Sequence, residues 1–427
     1  MEQLSYTHSN LYDCITYTDL MEDKTLIDYS NRIAASLSAQ SKAAAKLFLD
    51  NGIKEISIAG KKGVKYSNIE DKLISKLLVR NIKKGYRIRK VNRHEIIKNL
   101  ITHLKDGSPY NITRLDIRSF YESIDFNFLL EKITSEGRIS RYNLNLLYKY
   151  KESLSSKNIQ GLPRGVSLSA TLAELCLQDI DSYFLKRKDV FFYSRFVDDI
   201  LILHHGDKIT KQIIIDYFFE KLPKNLKLHD KDKLAFLNVS RARDCSEKIQ
   251  LQSEQPFKMD FLGYEFKIYN VYDNNDFTFS NNNRKVQVDL SSTKIVKIKK
   301  RIIKSFLSYI GSNQSQTDFD LLNDRIKFIT GNYPIKDPSS GIKINSGIFY
   351  NYQHKNSSLN CALENLDNFL RSILFSKKNK LYKRLSTCIS IKQKRELCKL
   401  NFKNGFYLVR FHTFNYARLK QIKECWK

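Results

Sequence analysis

The sequence predicts an α+β fold in which a small sheet carries helices on one face. Apolar residues alternate through residues 112–117, and two runs rich in aromatic and β-branched residues form a hairpin within 190–203. Apolar residues recur at helical spacing in 127–137 and 168–184, between these predicted strands. This order of strands and helices matches a split βαβ sheet.

Three aspartates stand out in this predicted sheet. Asp198 and Asp199 fall in the turn of the hairpin, and Asp116 ends the alternating strand. Adjacent carboxylates repel one another and raise their own pKa values unless a cation neutralises them, so a hard divalent ion is a natural partner. A solvated Asp-Asp turn is the alternative. Asp116 favours the metal site, because two-metal phosphoryl transfer uses carboxylates from separate strands to hold ions about 3.5–4 Å apart.

The same residues resemble the motifs of reverse transcriptases. Asp116 with Tyr121 resembles motif A, residues 160–169 resemble motif B, residues 196–199 (Phe-Val-Asp-Asp) resemble motif C, residues 226–233 stand where motif D occurs, and residues 259–266 resemble the primer-grip motif E. The resemblance covers roughly residues 80–310. It implies a right-hand polymerase with fingers, a split βαβ palm and a helical thumb, followed by a helical C-terminal extension.

The resemblance also implies roles for the motif A and motif C residues. Asp116 and Asp198 would bind both metal ions, Asp199 would support them, and the backbone carbonyl of Ile117 would be a further ligand. The implied cofactor is a pair of Mg²⁺ ions, with Mn²⁺ as a substitute. Tyr121 would be a steric gate that excludes the ribose 2′-hydroxyl, and an ordinary aromatic core residue is the alternative.

Two residues depart from the common reverse transcriptase pattern. Phe196 stands where a tyrosine is usual, which keeps the ring and removes the hydroxyl. Arg164, before Gly165, stands where most of the family has glutamine, and it brings a fixed positive charge to the nucleotide pocket. The Pro-Arg-Gly sequence resembles the abortive-infection and other defence-associated reverse transcriptases of bacteria, which are related to retron and group II intron enzymes.

Basic residues outside the aspartate motifs have implied roles as well. Lys233 in motif D would protonate the leaving pyrophosphate as a general acid, with Lys231 as the competing candidate. Arg89, Lys90 and Arg93 would lie in the fingers and contact the triphosphate and the template backbone. A solvated basic surface is the alternative for both groups.

The segment Ser292–Ile310 has apolar residues at helical spacing on one face and positive charges on the other. After a palm, such a helix is typical of a thumb that contacts duplex phosphates without reading sequence. A solvated helix beside an acidic neighbour is the alternative. The predicted nucleic-acid contacts are Phe196 of motif C, Leu262 and Gly263 of motif E, and Lys297, Lys300, Arg301 and Lys304 of this helix.

Composition agrees with a polyanionic partner. Lys and Arg number 73 against 45 Asp and Glu, which leaves a formal charge of +28. Because the chain has no run of 18 or more apolar residues and no amino-terminal signal pattern, we expect a cytoplasmic protein without a membrane partner. Its seven cysteines are scattered and fit reduced thiols better than disulfides or zinc.

The sequence divides into four predicted segments. They are an N-terminal segment with the fingers at 1–110, the palm at 111–283, the thumb at 284–317 and a helical C-terminal extension at 318–427.

The function predicted is RNA-directed DNA polymerisation, in which deoxynucleotides are added to a 3′-hydroxyl by two-metal catalysis. We expect a role in bacterial antiphage defence with an RNA template, nascent DNA and a structured non-coding RNA; a second reverse transcriptase subunit or a second copy of the chain is a further candidate partner. A retron-type enzyme and untemplated or protein-primed synthesis stay open as alternatives. A non-enzymatic alternative is an RNA-binding scaffold that uses the same basic surfaces.

Overall fold

The computed structural model describes residues 3–58, 60–89, 92–206, 211–221, 226–229, 235–243, 255–273, 283–337, 339–357 and 361–426. The chain divides into two compact units. The first unit comprises Met1–His103, Ser108–Arg241 and Pro338–Ser340, and the second comprises Leu104–Gly107, Ala242–Asp337 and Gly341–Lys427. The division into four segments stays a prediction.

The first unit contains helices, a two-stranded hairpin and a five-stranded sheet. Its helices are His8–Tyr12, Tyr17–Glu22, the 3-10 helix Lys24–Ile27, Tyr29–Ala44, Ile69–Tyr86, Arg93–Leu104, Phe120–Ser123, Phe126–Glu136, Arg141–Ser155, Ser167–Cys176, Gln178–Lys186 and Lys211–Lys221. Its strands are β1 (Ile53–Ile58), β2 (Lys61–Tyr66), β3 (Tyr110–Arg118), β4 (Val190–Phe196), β5 (Asp199–His204), β6 (Lys227–Leu228) and β7 (Ala235–Val239).

Strand β3 is the centre of the larger sheet. The strand order is β4-β5-β3-β6, and β7 also pairs with β3. All of these pairings are antiparallel. The apolar side chains of β3 and β5 are buried, as are those of the helices that pack against them, so the core of this unit lies between the sheet and its helices.

Local sequence explains where the neighbouring helices begin and end. The Asn68 side chain accepts a hydrogen bond from the Asp71 N–H and caps helix Ile69–Tyr86. Asp125 caps helix Phe126–Glu136, and Gly137 ends it with a φ of 60°. The single helix predicted over 168–184 is interrupted at Leu177, which ends one helix and precedes the next. Its predicted apolar residues are nevertheless buried.

The second unit contains a three-stranded antiparallel sheet and a helical core. Its strands are β8 (Phe257–Phe261), β9 (Tyr264–Tyr272), β10 (Arg284–Leu290), β11 (Asn332–Lys336) and β12 (Lys343–Gly347). The sheet order is β10-β9-β8, and β11 pairs with β12. Its helices are Ser292–Ile310, Gln316–Thr330, Ile348–Tyr352, Ala362–Phe375, Lys380–Leu385, Ile391–Lys399, Phe402–Tyr407 and Tyr416–Glu424.

The α+β prediction is confirmed in both units. The basic helix predicted at Ser292–Ile310 has these bounds in the structure, and its buried side includes Ile302, Phe306 and Tyr309. Within the described residues, none of the helices has both the length and the apolar character needed to cross a membrane.

Candidate active site

The pairing of β3 with β5 brings the three predicted aspartates together. Asp116 is the register partner of Asp199, and residues directly opposite on neighbouring strands present their side chains to the same face. The Ile117 N–H donates a hydrogen bond of 3.3 Å to the carbonyl of Asp198. Two chain segments far apart in sequence therefore place Asp116 beside the turn that carries Asp198 and Asp199.

The turn that carries Asp198 has an unusual backbone. Phe196 pairs with Asp199, so Val197 and Asp198 form the tip of the β4–β5 hairpin. Val197 has a φ of 61°, in the left-handed region that β-branched residues rarely enter. Such a conformation costs about 1–3 kcal/mol and persists only where surrounding contacts hold it. The hairpin tip is thus a strained turn at a functional position.

The carboxylates of Asp116 and Asp199 have different surroundings. Asp116 is 4% exposed; its carbonyl accepts a hydrogen bond from the His229 N–H at 2.8 Å, and its Oδ1 lies 3.8 Å from His229 Nε2. Asp199 Oδ1 lies 3.1 Å from the Nη2 atom of Arg114. This ion pair partly balances the charge of Asp199 from within the protein. The role of Arg114 was not predicted from the sequence, although Arg114 lies two residues before Asp116 and on the same face of β3.

The residues present fit a divalent metal. Carboxylate oxygens are the donors that hard divalent cations prefer, and Mg²⁺ in phosphoryl-transfer sites commonly uses one or two carboxylates together with substrate phosphates. Asp116 and Asp198 offer such a pair, and Asp199 is partly engaged by Arg114. In the described part of the chain, no three His, Cys, Asp or Glu side chains form a ready-made metal cage. The Ile117 carbonyl as a ligand stays a prediction.

Tyr121 lies in the short helix Phe120–Ser123, within electrostatic influence of Glu174 and Asp198. It is half-buried, and its backbone carbonyl accepts a hydrogen bond of 2.8 Å from the Leu162 N–H. Burial raises the pKa of Tyr121, and the carboxylates of Glu174 and Asp198 raise it further. The phenol therefore stays protonated at neutral pH. The guanidinium carbon of Arg164 lies 5.5 Å from the centre of its ring, within cation–π range.

The motif B turn is held against the β1–β2 hairpin. The Val64 N–H donates a hydrogen bond of 2.8 Å to the Arg164 carbonyl, and Gly63 pairs with Arg164. Gly165 has a φ of 103°, and a Cβ atom there would lie 2.5 Å from the Val64 carbonyl oxygen. Only glycine satisfies both the backbone conformation and this close approach.

The side chain of Arg164 forms an ion pair next to Tyr121. Its Nε donates to Glu122 Oε1 at 3.1 Å, and Lys61 Nζ lies 3.3 Å from the same oxygen. Two cations thus share one carboxylate at the edge of the predicted nucleotide pocket. Sequence reasoning missed Glu122 and Lys61, and the signals were weak: Glu122 follows Tyr121 directly, and Lys61 stands in a short basic run.

The remaining predicted residues of the polymerase domain have mixed outcomes. Lys90, Lys231 and Lys233 lie outside the described residues, so their roles stay predictions. Arg89 is exposed beyond the end of helix Ile69–Tyr86, and Arg93 begins the next helix. Phe196 is half-buried at the end of β4.

Predicted nucleic-acid contacts in the second unit lie at two places. Leu262 and Gly263 form the tip of the β8–β9 hairpin, with φ values of 46° and 83°. On helix Ser292–Ile310 the exposed lysines are Lys297, Lys300 and Lys304. Arg301 is half-buried, and its guanidinium carbon lies 5.3 Å from the centre of the Trp426 ring. These roles stay predictions.

Solved structures similar to this chain include yeast telomerases. Apo telomerase from Candida tropicalis aligns at 13% identity with a TM-score of 0.34, covering 88% of this chain and 65% of that one. Telomerase from Candida albicans in complex with a fragment of telomeric RNA aligns at 13% identity with a TM-score of 0.32, covering 82% of this chain and 53% of that one. The chain thus spans between half and two thirds of the length of these telomerases.

No curated protein matches the chain. Residues 60–266 match the model of the family described as "Reverse transcriptase (RNA-dependent DNA polymerase)". This range contains the three aspartates, Tyr121 and the motif B turn, and the match confirms the predicted right-hand polymerase fold. The chain therefore contains a reverse transcriptase domain, that is, an RNA-directed DNA polymerase domain of the nucleotidyltransferase class.

Proposed function

We propose that the protein copies RNA into DNA by adding deoxynucleotides to a 3′-hydroxyl. The observation that carries this proposal is the register of β3 with β5, which places Asp116 opposite Asp199 and ties Ile117 to Asp198. Asp116 and Asp198 would hold the divalent ions, with Asp199 in support. When bound, two Mg²⁺ ions activate the attacking hydroxyl and stabilise the charge of the triphosphate and leaving group.

The chain's own residues would orient the nucleotide. Tyr121 is a neutral phenol close to the charge of Asp198, and its ring would act as the steric gate that excludes a ribose 2′-hydroxyl. Arg164 and Lys61 supply positive charge within reach of the same pocket and neutralise Glu122 until a triphosphate enters. These contacts support selection of deoxynucleotides over ribonucleotides.

Primer extension tests the proposal directly. Purified protein is incubated with Mg²⁺, dNTPs and a primer annealed to RNA, beside an Asp198→Asn variant. We expect incorporation by the wild type and none by the variant. Mn²⁺ and Ca²⁺ in place of Mg²⁺ identify the metal, because Ca²⁺ takes longer and more numerous oxygen contacts than Mg²⁺. Failure of the wild type on every primer and template offered, with or without co-purified RNA, would contradict the proposal and favour an RNA-binding scaffold.

We propose further that the enzyme serves bacterial antiphage defence in the cytoplasm together with a structured non-coding RNA. The Pro163-Arg164-Gly165 sequence supports this placement, because its resemblance is to the defence-associated enzymes rather than to the glutamine-containing retron type. Sequencing of the RNA and DNA that co-purify with the protein from phage-infected cells tests it. A single recurring RNA template supports the proposal, and cellular messenger RNA at random contradicts it.

Protein-primed or untemplated synthesis by the same site is the second candidate. Arg164 favours it over ordinary copying, since a cation in place of glutamine alters the pocket that holds the incoming base and sugar. DNA that stays with the protein through denaturing gel electrophoresis, and is released by protease, would identify protein priming.

A further inference from the structure

A buried arginine lies in β4, the strand that leads into the turn carrying Asp198. The side chain of Arg195, in β4, is 6% exposed. Its Nε and Nη2 atoms donate to the two carboxylate oxygens of Asp181 at 2.8 and 2.7 Å, and Nη2 also lies 2.8 Å from Glu174 Oε2. A bidentate pair of this kind fixes orientation as well as charge.

The fourth contact of Arg195 reaches the strained turn. Its Nη1 donates a hydrogen bond of 3.1 Å to the carbonyl of Val197. Val197 is the residue with a φ of 61°, and it immediately precedes Asp198. A backbone in this region is stable only where its surroundings hold it, and Arg195 supplies a direct restraint.

The partners of Arg195 come from separate elements. Glu174 lies on helix Ser167–Cys176, which follows the motif B turn, and Asp181 lies on helix Gln178–Lys186. The Tyr193 hydroxyl donates to Asp181 Oδ1 at 2.6 Å, so Asp181 is held from two positions on β4. The network joins the motif B helix to the motif C turn.

We propose that Arg195 is a positioning residue for the polymerase site. It holds the Val197 carbonyl and thereby keeps Asp198 beside the end of β3 that carries Asp116, while Asp181 and Glu174 fix the guanidinium. Lysine cannot replace it, because an ammonium lacks the planar fork that spans Asp181, Glu174 and the Val197 carbonyl together. The inference rests on the proposed polymerase function.

The test compares Arg195→Lys with the wild type in activity and in metal binding. We expect kcat to fall about 10²-fold, as for other displacements of about 1 Å in a reacting group, while the KM for dNTP changes little. Mn²⁺ affinity, measured without nucleotide by electron paramagnetic resonance of the free ion, should fall about tenfold, in the range for residues that orient metal ligands. A solely structural role would not move this affinity in a folded protein.

Two further variants separate positioning from general destabilisation. Glu174→Gln removes one charge and leaves both hydrogen bonds between Arg195 and Asp181 in place. This variant should therefore fold and show smaller losses of kcat and Mn²⁺ affinity than Arg195→Lys. Lys42→Met breaks a buried ion pair of the same unit, between Lys42 Nζ and Asp71 Oδ2 at 2.9 Å, without contact to motif C. Circular dichroism melting curves set a temperature at which all variants are folded. Lys42→Met should keep the kcat and Mn²⁺ affinity of the wild type at that temperature.

The outcomes distinguish this inference from the proposed function. A folded Arg195→Lys variant with wild-type kcat and Mn²⁺ affinity would overturn the positioning role while leaving the polymerase proposal intact. The same losses in Lys42→Met would overturn it as well. An inactive wild type whose Mn²⁺ affinity still depends on Arg195 would instead overturn the polymerase proposal and show only that Arg195 positions the metal-binding Asp198.

Discussion

Replacement of Arg164 by glutamine should weaken the exclusion of ribonucleotides. The substitution removes the guanidinium that lies 5.5 Å from the centre of the Tyr121 ring and the Nε contact of 3.1 Å to Glu122. The backbone carbonyl of Arg164 keeps its hydrogen bond to Val64, so the motif B turn itself is preserved. Tyr121 loses a restraint on its ring, and the pocket becomes more tolerant of a 2′-hydroxyl.

The contacts set the size of the effect. A cation–π contact at a partly exposed site stabilises by about 0.5–1 kcal/mol. The Arg164–Glu122 ion pair, whose side chains are 35% and 36% exposed, contributes about 0.2–1 kcal/mol to the turn and does not contact the ring. Only the first contribution acts on Tyr121. Because 1.4 kcal/mol corresponds to tenfold, discrimination should fall by about two- to fivefold.

Single-nucleotide incorporation measures this discrimination. The ratio of kcat/KM for a dNTP to kcat/KM for the matching ribonucleotide is compared among wild type, Arg164→Gln, Tyr121→Ala and Lys61→Gln. Tyr121→Ala removes the ring and should lose far more discrimination than Arg164→Gln. Lys61→Gln removes the second cation on Glu122, so it can change both KM values while leaving their ratio unchanged.

An Arg164→Gln variant that discriminates as well as the wild type, while Tyr121→Ala discriminates poorly, would show that Arg164 does not restrain the Tyr121 ring. An equal loss of discrimination in Lys61→Gln and Arg164→Gln would also exclude this role, because the effect would then follow from charge in the pocket and not from the Tyr121 contact.

Three further predictions concern other parts of the molecule. Asp198→Asn should abolish detectable incorporation, which corresponds to a loss of about 10³-fold or more (about 4 kcal/mol). Asp199→Asn should retain about tenfold more activity than Asp198→Asn, because Arg114 already balances the charge of Asp199. Equal losses in primer extension would contradict this order. Burial lowers the pKa of His204 to about 4. The His204 imidazole therefore stays neutral in the native state, whereas in the unfolded chain it gains a proton below about pH 6.5. The free energy of unfolding should fall by about 3 kcal/mol as the pH drops from 6.5 to 4. Urea unfolding at several pH values should show a smaller loss of unfolding free energy for His204→Gln and the full loss for the neighbouring variant His205→Gln. If the pH dependence of stability is unchanged in His204→Gln, His204 is not its source. Replacement by glutamine of each exposed lysine on helix Ser292–Ile310, at Lys297, Lys300 and Lys304, should reduce the slope of log K against log salt concentration for duplex binding by about 0.9. Lys299 lies over the Phe369 ring at 5.1 Å, so the matched change there should leave the slope unchanged, and a triple variant with the wild-type slope would place the nucleic acid elsewhere.

Much of the fold could be predicted because its signals are local. The strand 112–117, the β4–β5 hairpin and the helix Ser292–Ile310 each carry a clear apolar period, and the structure contains all three. The break at Leu177 was not visible in that period, because the apolar residues on either side of it continue to face the core. Periodicity reports which side of an element is buried and does not report where its backbone bends.

The acidic residues of the candidate site were predicted from the sequence, whereas the basic residues that contact them were not. Asp116, Asp198 and Asp199 fall in or next to predicted apolar strands, where acidic residues are uncommon, so their positions were informative. Arg114 and Lys61 are two among 73 lysines and arginines, and nothing along the chain distinguished them from the rest.

The amino-acid sequence was enough to predict the chemical groups of the candidate site: three carboxylates on two predicted strands, an aromatic residue near them and a large positive charge. The tertiary structure alone decided which charges meet. Arg195 joins Asp181, Glu174 and the Val197 carbonyl only because two helices pack beneath the β4–β5 hairpin, and Arg164 reaches Tyr121 only because the motif B turn lies on β2. Ion pairs between distant elements depend on packing, whereas strands and helices follow from the spacing of apolar residues along the chain.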